Sequence, residues 1–509
     1  MEVELKLRIH PDDVQDFKAH ASLARFALSP PLEQDQTAIY FDSPDHELRQ
    51  NLAGLRVRQA GKVWTQTLKA GGGVMSGLHR RHEWESVVTG PEPDLYALRK
   101  LIDLRGAWKD LVSSPTFAAR LAPVFTTTIH RTTWQLRLPE GTEVECVLDE
   151  GRIVSGERST AVSEIELELV SGSVSQLYDF ALELLGTLRL YIENQSKAER
   201  GYALGRESRP VAAKAQALAL SKKMTIEQAF EAITGNCLQQ VQANAIGVAR
   251  SNDIESLHQM RVGIRRLRSA LGLFQEVISV PGELQDELNW LFEQISAARD
   301  WDVLATKTLE KMAADGLADI VEDIRQAALD RAAGLHQLAA EAVGSPRYTR
   351  FVLMFARWLH GREWRLSLPA VKGKGAKRQL KAFSNEMLEH DKRRLSKRGE
   401  HFEQADAQGR HRVRVAAKKT RYNAEFFQSL YPPGKTKEYV TALSALQDEL
   451  GWLNDLSVGE RLLSELEADR SELAGVSNFI RGYLSGRAAS EQREVNKLWK
   501  KFKSKLPQK

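Results

Sequence analysis

Cysteine is nearly absent: Cys146 and Cys237 are the two in 509 residues. They are too few for a disulfide framework and fit no zinc-ligand spacing. Aromatic residues make up 7%, little material for base-stacking platforms. No run approaches the roughly 18 uninterrupted apolar residues of a membrane-spanning helix, so no membrane association is expected. The chain opens Met1-Glu2-Val3-Glu4 without a basic or apolar leader, and no secretory signal is expected. Together these absences point to a reducing cytoplasm.

What is present suits folded domains. Hydrophobic residues are 42% and charged residues 27%, and the length predicts two to four domains. The net charge of +5 conceals an asymmetry. Residues 1–205 hold 23 Lys and Arg against 29 Asp and Glu, and the remainder 49 against 38. An acidic module beside a basic one suggests two electrostatic tasks.

Hydrophobic period separates the same halves. Up to about residue 205 the period is mostly 2: Val3, Leu5, Leu7 and Ile9 alternate with Glu2, Glu4, Lys6 and Arg8, and Ile165, Leu167 and Leu169 with Glu164, Glu166 and Glu168. Such runs are half-buried strands. Gly61-Lys62, Gly71–Gly73 and Pro139–Gly141 read as hairpin turns, and helical segments fall near 11–23, 93–104 and 173–187. This is an α+β domain with a mainly antiparallel sheet. Residues 206–222 read as a linker. From 223 to 505 the period is 3.6, with breaks near Pro281-Gly282, Gly344–Pro346, Lys372–Gly375 and Pro432–Gly434. That half is all-α and repeats itself. His258, Arg261, Arg265, Arg266, Arg268 and Phe274 match His411, Arg414, Lys418, Lys419, Arg421 and Phe427 at one constant offset; Asp300 and Val303 answer Asp455 and Val458. The repeats span about 223–365 and 376–505.

Strand alternation gathers charge. Glu2, Glu4 and Lys6 share one face, as do Arg56 and Arg58; Thr65, Thr67 and Lys69; Arg81, Glu83 and Glu85; and Glu164, Glu166 and Glu168. Three glutamates in line repel one another, and a hard divalent cation with oxygen ligands, Mg²⁺ above all, relieves that. Basic strands beside acidic ones complete a site for a metal-bound polyanion. His79 and His82 flank Arg80-Arg81 with no acidic partner at ligand spacing and are expected in a solvated loop; Trp64, Trp84, Trp134 and Cys146 are expected to pack.

Glu2-x-Glu4-x-Lys6 resembles the ExExK motif of the CYTH, or triphosphate tunnel metalloenzyme, superfamily. Further matches follow in order: Tyr40–Asp45, Leu55–Arg58, Thr67–Ala70, Arg81-His82-Glu83, Val147–Gly151, Glu164–Glu168 and Ser196–Tyr202. The resemblance implies an eight-stranded antiparallel β-tunnel, a barrel with its charged face inward. It implies Mg²⁺ or Mn²⁺ on Glu2, Glu4, Asp149, Glu164 and Glu166, with Glu168 as an extra ligand. Lys6, Arg56, Arg58, Lys69, Arg131, Lys197 and Arg200 would grip phosphate oxygens, with Arg137 an alternative to Arg131. Glu145 could join the acidic wall. Glu2, Glu4 and Lys6 would be catalytic. The implied reaction is hydrolysis of inorganic triphosphate to pyrophosphate and phosphate. The superfamily also includes thiamine triphosphatases and other organic triphosphate enzymes.

On a helix, His258, Arg261, Arg265 and Arg268 form a basic stripe beside an apolar one, and His411, Arg414, Lys418 and Arg421 repeat it. Residues 372–421 hold sixteen Lys and Arg against six Asp and Glu. The duplicated stripe resembles the CHAD domain, which implies two four-helix bundles around a basic channel that binds inorganic polyphosphate through those eight residues. Nucleic acid ranks second as a polyanion, since no helix-turn-helix, zinc or RRM pattern is present. A reading of another class is a non-enzymatic polyphosphate-binding or targeting protein.

Overall fold

The structure, a computed structural model, describes residues 1–205, 211–251, 253–365 and 379–505. It divides into two compact units: Met1–Arg209 with Gly344–Glu363, and Pro210–Val343 with Trp364–Lys509.

The first unit is built on nine strands: β1 (Glu2–Ile9), β2 (Leu32–Asp42), β3 (Ala53–Ala60), β4 (Val63–Met75), β5 (Leu78–Val88), β6 (Ala122–Arg137), β7 (Glu143–Ser155), β8 (Arg158–Ser171) and β9 (Leu190–Ile192). Their order is β5-β4-β3-β2-β6-β7-β8-β1-β9, and β5 also pairs with β1. The first eight therefore close into an antiparallel barrel, as the alternation and resemblance led one to expect, and β9 adds to one end of β1. Closure removes the sheet edges.

The barrel is apolar outside and charged inside. Leu5, Leu7, Leu136, Cys146, Leu148, Ile165 and Leu167 are buried on the outer face against Phe17, Leu23 and the helix Val174–Leu185. Leu55, Val57, Leu68 and Trp84 are covered by Leu98 and Val112 of the helices Leu95–Leu101 and Ala107–Val112. Leu353 and Ala356, on the helix Pro346–His360, complete the first of these cores. Arg357 Nε of that helix lies 2.5 Å from Asp179, and His360 stacks on Tyr178. The helix falls within residues that the repeat spacing groups with the first helical repeat, yet its apolar face belongs to the barrel's core.

Two local expectations change. Gly71–Gly73 are not a hairpin turn: they lie within β4, where its register against β5 shifts. Gly71 and Gly72 have φ of +66° and +76°, and a Cβ on Gly72 would stand 1.7 Å from the Arg80 carbonyl oxygen. They form a bulge, and the turn follows at Ser76-Gly77. His79 and His82 are not in a loop either; both lie on β5.

The second unit is helical and visibly duplicated. Ile226–Ala243, Ile254–Leu273, Gly282–Val303 and Ala318–Val343 answer Leu380–Arg398, Ala407–Phe426, Pro433–Asp469 and Ala474–Lys505. In the first copy the third helix runs on through a π turn at Leu304–Thr308 and breaks at Gly316, whose φ is +90°; in the second it is continuous. Even the caps repeat: Asp253 accepts from Ser256 N and Asp406 from Gly409 N. The described part of the 206–222 stretch is tied to these helices, Ala213 N donating to Asn244 and Leu220 N to Ser429. The break at Lys372–Gly375 lies outside the described residues.

Candidate functional site

Inside the barrel, alternation turns every second side chain toward the axis, and closure decides which of them meet. Asp149 on β7 stands opposite Glu164 on β8, and Glu166 follows two residues on. Carboxylate oxygens of these three buried acids lie within 4.8 Å of one another. Four cations converge on them. Arg131 Nε and Nη2 donate to Asp149 at 2.7 and 2.6 Å, and Nη2 also reaches Glu166 at 3.1 Å. Lys197 Nζ lies 2.6 Å from Asp149 and 2.9 Å from Glu166 and also bonds Glu164. Lys6 Nζ donates to Glu4 at 2.8 Å and to Glu166, and Arg200 donates to Glu164. Lys197 and Arg200 come from the helix Lys197–Leu204, where three-residue spacing sets both on one face. Ser196 and Glu199 close a capping box at its start.

A second group gathers where β1 meets β5, and on β4 and β3 beside it. Lys69 Nζ donates to both Glu2 oxygens at 2.7 Å and lies 3.3 Å from Glu83. Arg58 is 3.6 Å from Glu85, which also accepts from Thr67. Arg56 bonds Tyr40 and faces Glu83 and Arg131. Glu168 is less buried than Glu164 and Glu166, and Glu145 accepts from Gln135. Arg137 shares the face of Arg131 but lies at the end of β6, paired with Glu143 and largely exposed, so Arg131 is the guanidinium of β6 that meets the acidic cluster.

The electrostatics follow from burial. Burial raises the Glu166 carboxyl, but Lys197, Lys6 and Arg131 outweigh it and hold it well below the usual range. Asp149 is lowered likewise: burial opposes, Lys197 and Arg131 prevail. Burial carries Glu2 up to about 7 despite Lys69. Arg58 is held below its ordinary value by burial and by Arg56 and Arg131. Three guanidiniums crowded together call for an anion. Buried ion pairs on this scale are a poor stability device, and three oxygen-donor acids in one buried cluster are the donor set that a hard divalent cation takes.

In the helical unit the two basic stripes face each other. Arg261 is pushed down to about 10 by burial and then by Arg265, Arg299 and Arg414, with Asp300 opposing. Lys418 falls to about 6 through burial, Arg414, Arg265 and Arg261, and His258 to about 4 through burial and Arg299. One cluster therefore holds His258, Arg261, Arg265, Arg414 and Lys418. The other predicted residues have contacts of their own, although Arg268 shares the Phe292 ring with Arg261. Arg268 lies over Phe292 with its guanidinium carbon 4.2 Å from the ring centroid, Arg421 is 3.6 Å from Glu425, and His411 is exposed. Arg299 was not foreseen, because its repeat counterpart is Asn454, which accepts from Arg414 at 2.6 Å. Arg266 is structural, buried on Gln240 and Asn236.

Comparison with known proteins agrees with this division. Residues 1–202 match the CYTH domain family and residues 232–464 the CHAD domain family. A Haemophilus influenzae protein named inorganic triphosphatase is 37% identical over 209 residues, 40% of this chain and 55% of that one. The chain thus spans about half the length of that curated relative. The crystal structure of the CHAD domain from the plant Ricinus communis is 39% identical, covering 57% of this chain and 96% of that one, with a TM-score of 0.52.

Proposed function

This chain carries a CYTH domain and, following it, belongs to the CHAD family, and from that premise we propose that its barrel is a metal-dependent triphosphatase cleaving inorganic triphosphate to pyrophosphate and phosphate. One observation carries the reading: the Asp149–Glu164–Glu166 carboxylates and the Arg56–Arg58–Arg131 guanidiniums line the interior of a single barrel. Arg56, Arg58, Lys69 and Arg131 take phosphate oxygens and hold the chain of phosphates along the axis. Asp149, Glu164 and Glu166, with Glu2, Glu4 and Glu168 on the same wall, hold Mg²⁺ or Mn²⁺. The metal, when bound, neutralises phosphate charge and polarises the bond to be broken. Lys6, Lys197 and Arg200 move from balancing carboxylates to balancing phosphates. Positioning and electrostatic stabilisation supply most of the rate in such transfers, and this interior is made of those two things.

Phosphate release from inorganic triphosphate is measured with Mg²⁺, with Mn²⁺ and with chelator, beside Glu4→Ala. The expected outcome is metal-dependent release that the variant abolishes without loss of fold. Faster turnover of thiamine triphosphate or ATP would reassign the substrate, and no release on any of them would leave a binding protein. The CHAD domain binds inorganic polyphosphate at the cluster of His258, Arg261, Arg265, Arg414 and Lys418, supported by two opposed basic stripes of like spacing.

A further inference from the structure

The barrel has a seam at Lys6. One edge of β1 pairs continuously with β8, from Glu4 opposite Glu168 to Arg8 opposite Glu164. The other edge changes partner: Glu2–Leu5 pair with Arg81–Leu78 of β5, and Leu7–Ile9 with Ile192–Leu190 of β9. Lys6 stands between the two partners and is held by both. Its N–H donates to the Gly77 carbonyl at 2.8 Å, and its carbonyl accepts from Glu193 N at 3.1 Å. Gly77 has a φ of +75°, and a Cβ there would stand 2.9 Å from the Lys6 carbonyl oxygen, so the approach requires glycine.

Two hydrogen bonds cross the seam. Gly77 N donates to Asn194 Oδ1 at 2.9 Å, and His79 Nε2 lies 3.0 Å from the Glu193 carbonyl. A carbonyl only accepts, so Nε2 carries the proton. His79 is 1% exposed, and its Nδ1 has no hydrogen-bond partner among the described residues. In register it stands directly opposite Glu4, hence on the same inner face. A buried imidazole left half satisfied is costly where an apolar side chain would fill the space.

We propose that His79 and Asn194 are positioning residues of the triphosphatase site: they stitch β5 to the segment after β9 across the seam and thereby fix where Lys6 and Glu4 project into the barrel. The proposal rests on the reaction proposed above. Phosphate release at saturating Mg²⁺ is measured for wild type, His79→Ala, His79→Gln and Asn194→Ala, beside melting temperature and hydrogen exchange at residues 4–8. Glutamine can return a donor to the Nε2 position. Expected are a loss of kcat of about ten- to a hundredfold in His79→Ala, KM little changed, faster exchange at Lys6 and Leu7, and recovery of both in His79→Gln.

A His79→Ala protein with wild-type kcat and exchange overturns the proposal. So does a His79→Gln protein as slow as His79→Ala at an unchanged melting temperature. If His79→Ala fails to fold, Asn194→Ala decides: reduced kcat and faster exchange support the stitch, and wild-type values of both overturn it. A wild type that releases no phosphate defeats the reaction while the exchange measurement still judges the stitch.

Discussion

Lys418 shows how a single residue ties charge to binding. Burial and three neighbouring guanidiniums bring its ammonium down to about 6 from an ordinary 10.5. Between those values the unfolded chain holds the proton and the fold does not, so the fold gains stability as pH rises from about 6 toward 10.5. Below about 6 the full cost of the buried charge remains. A bound polyanion reverses the preference and draws a proton in. Polyphosphate affinity should therefore fall as pH rises from about 6 to 8, by up to about tenfold per unit for one proton taken up. Lys418→Met should flatten that slope, and titration calorimetry across those pH values checks it. Its place in the basic stripe was legible from helical spacing. Its depressed pKa was not, because Arg261 and Arg265 lie in the other repeat and reach it only through folding.

Two elements carry more than their sequence suggests. The β4 bulge depends on glycine, since φ at Gly72 is +76° and its Cβ would strike the Arg80 carbonyl. Gly72→Ala should cost about 3 kcal/mol or more, from a strained backbone and the clash together, as denaturant unfolding will show. Glycines in a row read equally well as a turn or a bulge, and only pairing with β5 distinguishes them. The helix Pro346–His360 is the other case. Leu353 is fully buried in the barrel's outer core, so Leu353→Ala should destabilise the first unit by about 2–5 kcal/mol. The loss should appear as triphosphatase activity failing at a lower temperature. Its amphipathic spacing announces a helix, but no spacing names the core that it joins.

At the scale of the whole molecule, two separately compact units carry opposite charge, and their tasks should separate by mutation. Glu4→Ala should end hydrolysis and leave polyphosphate binding at wild-type affinity. Arg261→Glu with Arg414→Glu should weaken polyphosphate binding by about a hundredfold or more, since like charge in the cluster repels the ligand, while phosphate release continues. Parallel binding and release assays on the same preparations check both. The sequence alone determined the period of each half, the inward faces of the strands and the duplication of the basic helix. These are consequences of local backbone geometry, in which a side chain's face follows from its place in the period. Only the tertiary structure put a distance on the Asp149, Glu164 and Glu166 set that the resemblance implied, buried His79 beside Glu4 and brought Arg299 to the basic cluster. The physical reason is closure: the β1–β5 and β1–β9 pairings and the facing of the two repeats set distances between residues far apart in the chain. Alternation fixes the face on which a residue lies, and only the closed barrel fixes the rung.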